Sequence, residues 1–230
     1  MNLRDSKILV IGMGKSGIAA AKLIKRQGGM PFVTEKGKGE ALDLRAAELV
    51  DAAIDFELGG HDFASWHEFD LIVLSPGINP DKFPILDELN VPVISEVELA
   101  SYYLKGTVIG ITGSNGKSTT TALTGELFKQ AGRNVYIVGN IGNPVSDIAD
   151  STTDEDVTVI ELSSFQLEKI DNFQPNISVL LNLTPDHLDR YPNVEEYYEA
   201  KLNLFRGLGI SILNADDPET LKYKISGKKL

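Results

Sequence analysis

Short apolar runs alternate with helix-period stretches almost from one end of this chain to the other, and that alternation constrains its fold more than any other feature. Parallel strands cannot be joined by tight turns, so each needs a crossover, usually a helix. The pattern therefore predicts an α/β protein built from βαβ units around mostly parallel sheets. In the first set, strands are expected at residues 7–12, 31–34, 54–57, 71–74 and 91–94. Helices fall between them at 16–27, 41–52 and 81–89, and a connecting helix at 96–104 is broken by Lys105-Gly106. The second set has strands at 107–112, 134–138, 157–162, 177–182 and 210–214, with helices at 117–131, 167–171 and 194–205. Two domains are expected, residues 1–95 and 96–230, and no residue-level repeat relates them.

The strand at 107–112 runs into Gly113-Ser114-Asn115-Gly116-Lys117-Ser118-Thr119, a glycine-rich turn that opens a helix. Backbone N–H groups and one ammonium would then converge on a point, which suits the polyphosphate of a nucleotide. The spacing departs from the general P-loop pattern. That pattern needs a glycine where this chain has Ile111, so the match is the shorter G-x-x-G-K-S, residues 113–118. The plain alternative is a strand-to-helix turn carrying a surface lysine.

A second glycine turn, Gly12-Met13-Gly14-Lys15-Ser16-Gly17, fits G-x-G-x-x-G directly after the first strand. Such a turn brings backbone N–H groups close to a diphosphate. Glu35, at the end of the next strand, stands about where a ribose-binding carboxylate would. Ser75-Pro76-Gly77 ends the fourth strand, on the carboxyl edge of the sheet where ligands bind. A nicotinamide dinucleotide is the usual inference from this turn, yet nothing downstream supplies hydride chemistry.

Three more segments converge on the carboxyl edge of the second sheet. Glu161 ends an apolar strand and either serves magnesium or caps the next turn. Asp186-His187 follows another apolar strand, where the pair could ligate a metal, orient a carboxylate or simply satisfy a loop. Lys201 lies on an apolar stripe with Tyr198, Leu202 and Phe205. Snorkelling is the ordinary explanation for a lysine there.

Charge narrows the partners. The balance of 22 basic and 33 acidic residues leaves a net charge of −11. That argues against nucleic acid or an anionic membrane, both of which reward a cationic face. An anionic ligand must be held locally. There are no cysteines, so disulfides and thiolate zinc sites are excluded. The N-terminal apolar run is too short for a signal peptide or a span. A cytoplasmic monomer is expected.

These residues together resemble the Mur ligase superfamily. The matching segments are GMGKSG (12–17), SPGI (75–78), GITGSNGKSTTTALTGELF (110–128), GNIGNP (139–144), ELSSFQLE (161–168), LNLTPDHLDRY (181–191), EAKLNLF (199–205) and NADD (214–217). The short phosphate loop is the one this family uses. The first domain and the 186–191 run resemble the branch that adds D-glutamate.

The resemblance implies a Rossmann-like domain that binds a UDP-sugar, followed by a central ATP-binding domain. It implies that ATP phosphorylates the carboxylate of UDP-N-acetylmuramoyl-L-alanine and that the amine of D-glutamate attacks the acyl phosphate. It assigns the ATP phosphates to Gly113, Ser114, Asn115, Gly116, Lys117, Ser118 and Thr119. One magnesium would go to Ser118 and Glu161, and a second to His187 and Lys201, with Lys201 carbamylated. Gly14, Lys15 and Ser16 would meet the diphosphate, Glu35, Lys36, Ser75, Pro76 and Gly77 the uridine end, and Asn140 and Ser163 the muramoyl-alanine path. Lys117, Asn140, His187 and Lys201 would be catalytic. A helix N-terminus supplies only about 0.3–1 kcal/mol, so Lys117 and the metal ions must do most of the charge neutralisation. Family members are longer than this chain. The expectation is therefore a fragment with an incomplete central domain and no amino-acid-binding domain, which binds the UDP-sugar, holds ATP weakly and forms no amide bond. The other readings are a non-catalytic nucleotide-binding module and an NAD-dependent oxidoreductase resting on residues 12–17 and Glu35.

Overall fold

The computed structural model describes residues 1–62 and 66–225 and the backbone of 228–229. The chain is α/β and forms two compact units. One comprises Met1–Tyr102 with Val145–Asp150, and the other comprises Tyr103–Pro144 with the chain from Ser151 onward.

In the first unit, β1 (Lys7–Ile11), β2 (Met30–Glu35), β3 (Asp55–Leu58), β4 (Leu71–Leu74) and β5 (Val93–Ser95) pair in parallel in the order β3-β2-β1-β4-β5. The order reverses between β1 and β4, the position at which such sheets leave a crevice beyond their carboxyl ends. Ile8, Leu9, Val10 and Ile11 are all fully buried, as expected of a strand covered on both faces. Helix α1 (Lys15–Arg26) packs Ile18, Ala19, Ala20, Ala21, Leu23 and Ile24 inward. A Cβ on Gly17 would come within 1.9 Å of the Gly12 carbonyl oxygen. Only glycine lets the helix start this close to β1. Gly28 and Gly29 then end α1, donating to the carbonyls of Lys25 and Ile24, a Schellman closure.

Helix α2 (Glu40–Asp51) closes the same way, through Ala53 and Ile54 onto Val50 and Leu49, although Ala53 must take φ +52°. The helix expected at 81–89 is shorter. Pro84 disfavours helical backbone at Phe83, so a 3₁₀ turn at Pro80–Lys82 precedes α3 (Ile85–Glu88). Helix α4 (Glu96–Ser101), capped by Ser95, lies in the first unit, and the division between the units falls after Tyr102.

In the second unit, β6 (Thr107–Thr112), β7 (Val135–Gly139), β8 (Val157–Glu161), β9 (Ile177–Leu180), β10 (Ile210–Leu213) and β11 (Lys228–Lys229) are all parallel. Their order is β11-β10-β9-β6-β8-β7. Ile109 and Ile111 of β6 pack with Val157 and Val159 of β8. Helix α5 (Lys117–Gln130) follows the glycine turn at residues 113–116, and α7 (Val194–Leu202) precedes β10. The helix expected at 167–171 begins a turn earlier, as α6 (Ser164–Leu167). Ser163 caps it by accepting the amide of Gln166, whose side chain in turn accepts the amide of Ser163. Because every strand points the same way, the turns after β6, β7, β8, β9 and β10 share one edge.

Candidate functional site

The turn after β6 is held from the side. Beyond the paired strands, Leu181 donates to the Thr112 carbonyl, and Ser114 donates its amide to the Asn182 carbonyl. Asn115 donates its amide to Asn182 Oδ1 at 2.9 Å, and Asn182 Nδ2 donates to the Asn115 carbonyl at 3.1 Å. Ser114 Oγ donates to the Thr184 carbonyl and accepts the Thr184 amide, at 2.8 and 2.9 Å. The amides of Ser114 and Asn115 are thus engaged by the β9 turn. At the start of α5, Gly116 sits at φ +82° without a side-chain cap, and Thr120 is the first residue to reach an i−4 carbonyl. The amides of Lys117, Ser118 and Thr119 therefore leave the helix end without an intrahelical acceptor. Gly113 and Ser114 are buried, and Asn115, Ser118 and Thr119 are exposed.

Two lysines meet on one carbonyl. Lys117 Nζ donates to the Gly113 and Ser114 carbonyl oxygens, both at 2.9 Å, and Lys201 Nζ reaches the Gly113 carbonyl at 3.0 Å. Lys201 is 1% exposed and lies over the Tyr197 ring, 4.5 Å from its centroid. Burial first, and the Lys117 charge second, push the Lys201 pKa down to about 7. Burial also lowers the Lys117 pKa, against the pull of Glu161 and Asp186.

Glu161, 1% exposed, ends β8 beside this turn. Asn140 donates its side-chain amide to Glu161 Oε1 at 2.8 Å and its backbone amide to the Glu161 carbonyl. Glu161 Oε2 is buried with no hydrogen-bond partner among the described residues. A buried carboxylate oxygen left without a donor is costly and fits a ligand to a hard cation. Asn140, expected on a substrate path, thus orients the carboxylate. Ser163 is occupied as the cap of α6.

His187 sits at φ +53° in an exposed turn, its Nε2 3.7 Å from Asp186 Oδ2. Its ring lies 4.9 Å from Phe165 and 5.8 Å from Tyr197, so His187 and Lys201 pack on the same tyrosine. Among the described residues no three His, Cys, Asp or Glu side chains cluster as a ready metal site. Glu161, His187 and Ser118 all lie at the carboxyl edge of the second sheet. As an ammonium, Lys201 has no lone pair for a cation; its carbamate would offer carboxylate-like oxygens.

Residues without a role in the sequence reading stabilise this edge. Tyr197, 1% exposed, donates its hydroxyl to Ser114 Oγ at 3.3 Å. Glu168 accepts from Arg190 at 2.7 Å and from Tyr191, pinning the loop that carries His187. Asp217 Oδ2 accepts the Leu183 amide, and Asn214 donates to the Leu181 carbonyl. Aromatic and amide spacing at 191, 197 and 214–217 was the available signal, but each partner lies tens of residues away.

In the first unit, Glu35 Oε2 accepts the Met13 amide at 2.9 Å and Oε1 accepts the Gly37 amide at 2.8 Å. The carboxylate expected at a ribose thus fixes the glycine turn, and each oxygen retains a further lone pair. Arg45 donates to the Met13 carbonyl from the other side. A Cβ on Gly12 would touch Ser75 and Ile78, and one on Gly14 would approach Ser75 Oγ at 3.2 Å. The structure therefore brings Gly12 and Gly14 close to Ser75, and Gly12 close to Ile78. Lys15 and Ser16 open α1, which has no side-chain cap at Gly14, and Lys36 and Gly77 are exposed while Pro76 is half-buried.

A parallel sheet with a crevice at its switch point, and a glycine turn flanked by two lysines and a buried carboxylate, define the class as α/β with two candidate ligand sites. The family model described as Mur ligase middle domain matches residues 111–230, and that described as Mur ligase MurD-like, N-terminal domain matches residues 6–95. The chain belongs to the Mur ligase family. It is similar to proteins named UDP-N-acetylmuramoylalanine--D-glutamate ligase. The one from Citrifermentans bemidjiense is 46% identical over 223 residues, covering 95% of this chain and 49% of the relative. The one from Alkaliphilus metalliredigens is 47% identical over 229 residues, covering 94% and 49%. The chain spans about half the length of the curated relatives it matches. Among solved structures, the UDP-N-acetylmuramate:L-alanyl-gamma-D-glutamyl-meso-diaminopimelate ligase from Neisseria meningitides superposes with a TM-score of 0.62 at 22% identity, over 98% of this chain and 78% of that one. The UDP-N-acetylmuramate-alanine ligase from Thermotoga maritima gives 0.57 at 21%, over 98% and 53%. These two likenesses show the fold. No helix among the described residues is long and apolar enough to cross a membrane.

Proposed function

We propose that this chain carries the nucleotide-sugar and ATP-phosphate sites of a peptidoglycan-precursor ligase that joins D-glutamate to UDP-N-acetylmuramoyl-L-alanine. The observation that carries the reading is the Glu161 carboxylate: one oxygen is fixed by Asn140 and the other is buried without a partner, beside a turn on which Lys117 and Lys201 converge.

The chemistry requires a triphosphate and a carboxylate to approach each other, so positioning and charge neutralisation dominate. Lys117 sits where its ammonium can leave the Gly113 and Ser114 carbonyls for a phosphate oxygen. The amides of Lys117, Ser118 and Thr119, at the positive end of α5, face the same space. Ser118 and Glu161 would hold one magnesium ion, and His187 with carbamylated Lys201 a second. Magnesium bound there would neutralise charge between the triphosphate and the attacking carboxylate. The pKa of Lys201, near 7, leaves a substantial neutral-amine fraction at neutral pH, the form that adds carbon dioxide to give a carbamate and a proton. A carbamate ligand also accounts for a lysine buried where a cation belongs. The acyl phosphate formed on the muramoyl-alanine carboxylate would then be open to the D-glutamate amine. In the first unit, the α1 N-terminus with Gly14, Lys15 and Ser16 would take the diphosphate, and Glu35, Lys36 and Ser75–Gly77 the uridine end.

Thermal unfolding with UDP-N-acetylmuramoyl-L-alanine and with NAD tests the first site. Ligand at about 100 times its Kd adds about 2.7 kcal/mol, so the UDP-sugar is expected to raise the midpoint and NAD to leave it unchanged. The reverse result would replace this reading with an oxidoreductase one. For the second site, magnesium-ATP is expected to stabilise the unsubstituted chain and to have no effect on Lys117→Ala.

A further inference from the structure

The phosphate turn owes its shape to a neighbour that touches no phosphate. Asn182 presents its side-chain amide to Asn115 as a strand presents a peptide unit, giving one bond and accepting one, at 3.1 and 2.9 Å. Its own carbonyl accepts the Ser114 amide at 3.0 Å. Thr184, two residues on, adds the two-way contact with Ser114 and accepts from Asn115 Nδ2 at 3.1 Å. The β6–β9 ladder thus continues past its last strand pair, Thr112 with Leu180, through a backbone bond from Ser114 to Asn182 supplemented by side chains. From the far side, Asn214 and Asp217 hold residues 181 and 183. The 181–184 turn is therefore clamped between the β6 and β10 turns, and the same loop continues to Asp186 and His187.

We infer that Asn182 is a positioning residue for phosphate binding: it fixes the backbone of Ser114 and Asn115 so that the amides of residues 116–119 and Lys117 converge on one anion. The inference rests on the reading of residues 113–119 as the phosphate site. It goes further in assigning the turn's geometry to the loop after β9. That loop also carries His187, so displacing it disturbs both parts of the site.

The experiment measures magnesium-tripolyphosphate binding to the full chain by calorimetry, with UDP binding as an internal reference in the first unit. Asn182→Ala is expected to weaken tripolyphosphate binding by about tenfold or more, as misplacing a binding group by an ångström does. It should leave UDP binding unchanged and shift the amide NMR signals of residues 116–119 in the unliganded chain. Asn182→Gln keeps an uncharged amide on a side chain one methylene longer. It serves if the alanine variant fails to fold, and is expected to lose affinity by a smaller factor, about threefold, because both bonds to Asn115 are displaced without a change of charge. Tripolyphosphate affinity within a factor of about 1.5 of the unsubstituted chain in the folded variant, or equal losses for UDP and tripolyphosphate, would overturn the inference alone. An unsubstituted chain that binds UDP and no tripolyphosphate would overturn the phosphate reading, and this inference with it.

Discussion

Lys201 puts a charged four-carbon side chain where 1% of its surface meets solvent, opposite a second lysine and above an aromatic ring. Its folded pKa of about 7 lies below the usual 10.5. The unfolded chain therefore binds more protons between these values, and this contribution makes stability rise with pH across that window. The full cost is present below about pH 7. Replacing Lys201 with Met is expected to stabilise the chain by up to about 4 kcal/mol at pH 6, with the gain fading toward pH 10. Urea unfolding at a series of pH values measures it, and a gain independent of pH would contradict the cause. The apolar stripe flagged this lysine in the sequence. Its place over Tyr197, one turn earlier on α7, is local, but its meeting with Lys117 on the Gly113 carbonyl was not legible, because that contact joins residues 88 positions apart only once β6 and α7 are packed.

At the scale of elements, the helix ends carry most of the local information, and they explain where sequence boundaries held and where they moved. Gly28 and Gly132 close α1 and α5 by the same hydrogen-bond pattern, each with positive φ, and both stops were readable as glycine after a periodic stretch. Helix α2 ends on Ala53 at φ +52°, a conformation that costs an L-residue about 1–2 kcal/mol. Ala53→Gly is therefore expected to stabilise the chain by about 0.5–1 kcal/mol after glycine's added unfolded-state entropy, seen as a higher urea midpoint at unchanged slope. Gly28→Ala is expected to lose about 1 kcal/mol for the mirror-image reason. Helix α4 holds a different signal. Glu96 is fully buried and accepts the Ser146 amide at 2.7 Å, its other oxygen unpartnered among the described residues. Burial, with the nearby Asp147 charge adding to it, outweighs that hydrogen bond and raises its pKa to about 7 from the usual 4.5. Here the folded state binds the extra proton, so this contribution falls as pH rises from about 4.5 to about 7. Glu96→Gln is expected to abolish that slope and to gain up to about 3 kcal/mol at pH 8, again by urea unfolding. A Ser146 amide that returns to a helix fifty residues earlier leaves no local pattern, so Glu96 read as an ordinary first-turn acid.

Over the whole molecule, the net charge of −11 opposes the compact state through self-repulsion. Added salt screens that repulsion, so raising sodium chloride from low to physiological strength is expected to raise the thermal midpoint, and no binding to heparin is expected. The sequence by itself determined the class of this protein. Strand and helix periods and the two glycine turns follow from local sterics and apolar spacing, which short stretches of chain encode. It also determined the family, through the spacing of segments from residue 12 to residue 217. The tertiary structure decided which polar groups remain available at the shared sheet edge. Asn140 and Glu35, read as ligand contacts, orient the Glu161 carboxylate and the Gly12–Gly14 turn. Asn182, which carried no reading of its own, holds the glycine turn at Ser114 and Asn115. The reason is that hydrogen-bond demand is settled between strands adjacent in space: β9 joins the chain well after β7 and β8, yet it lies directly beside β6.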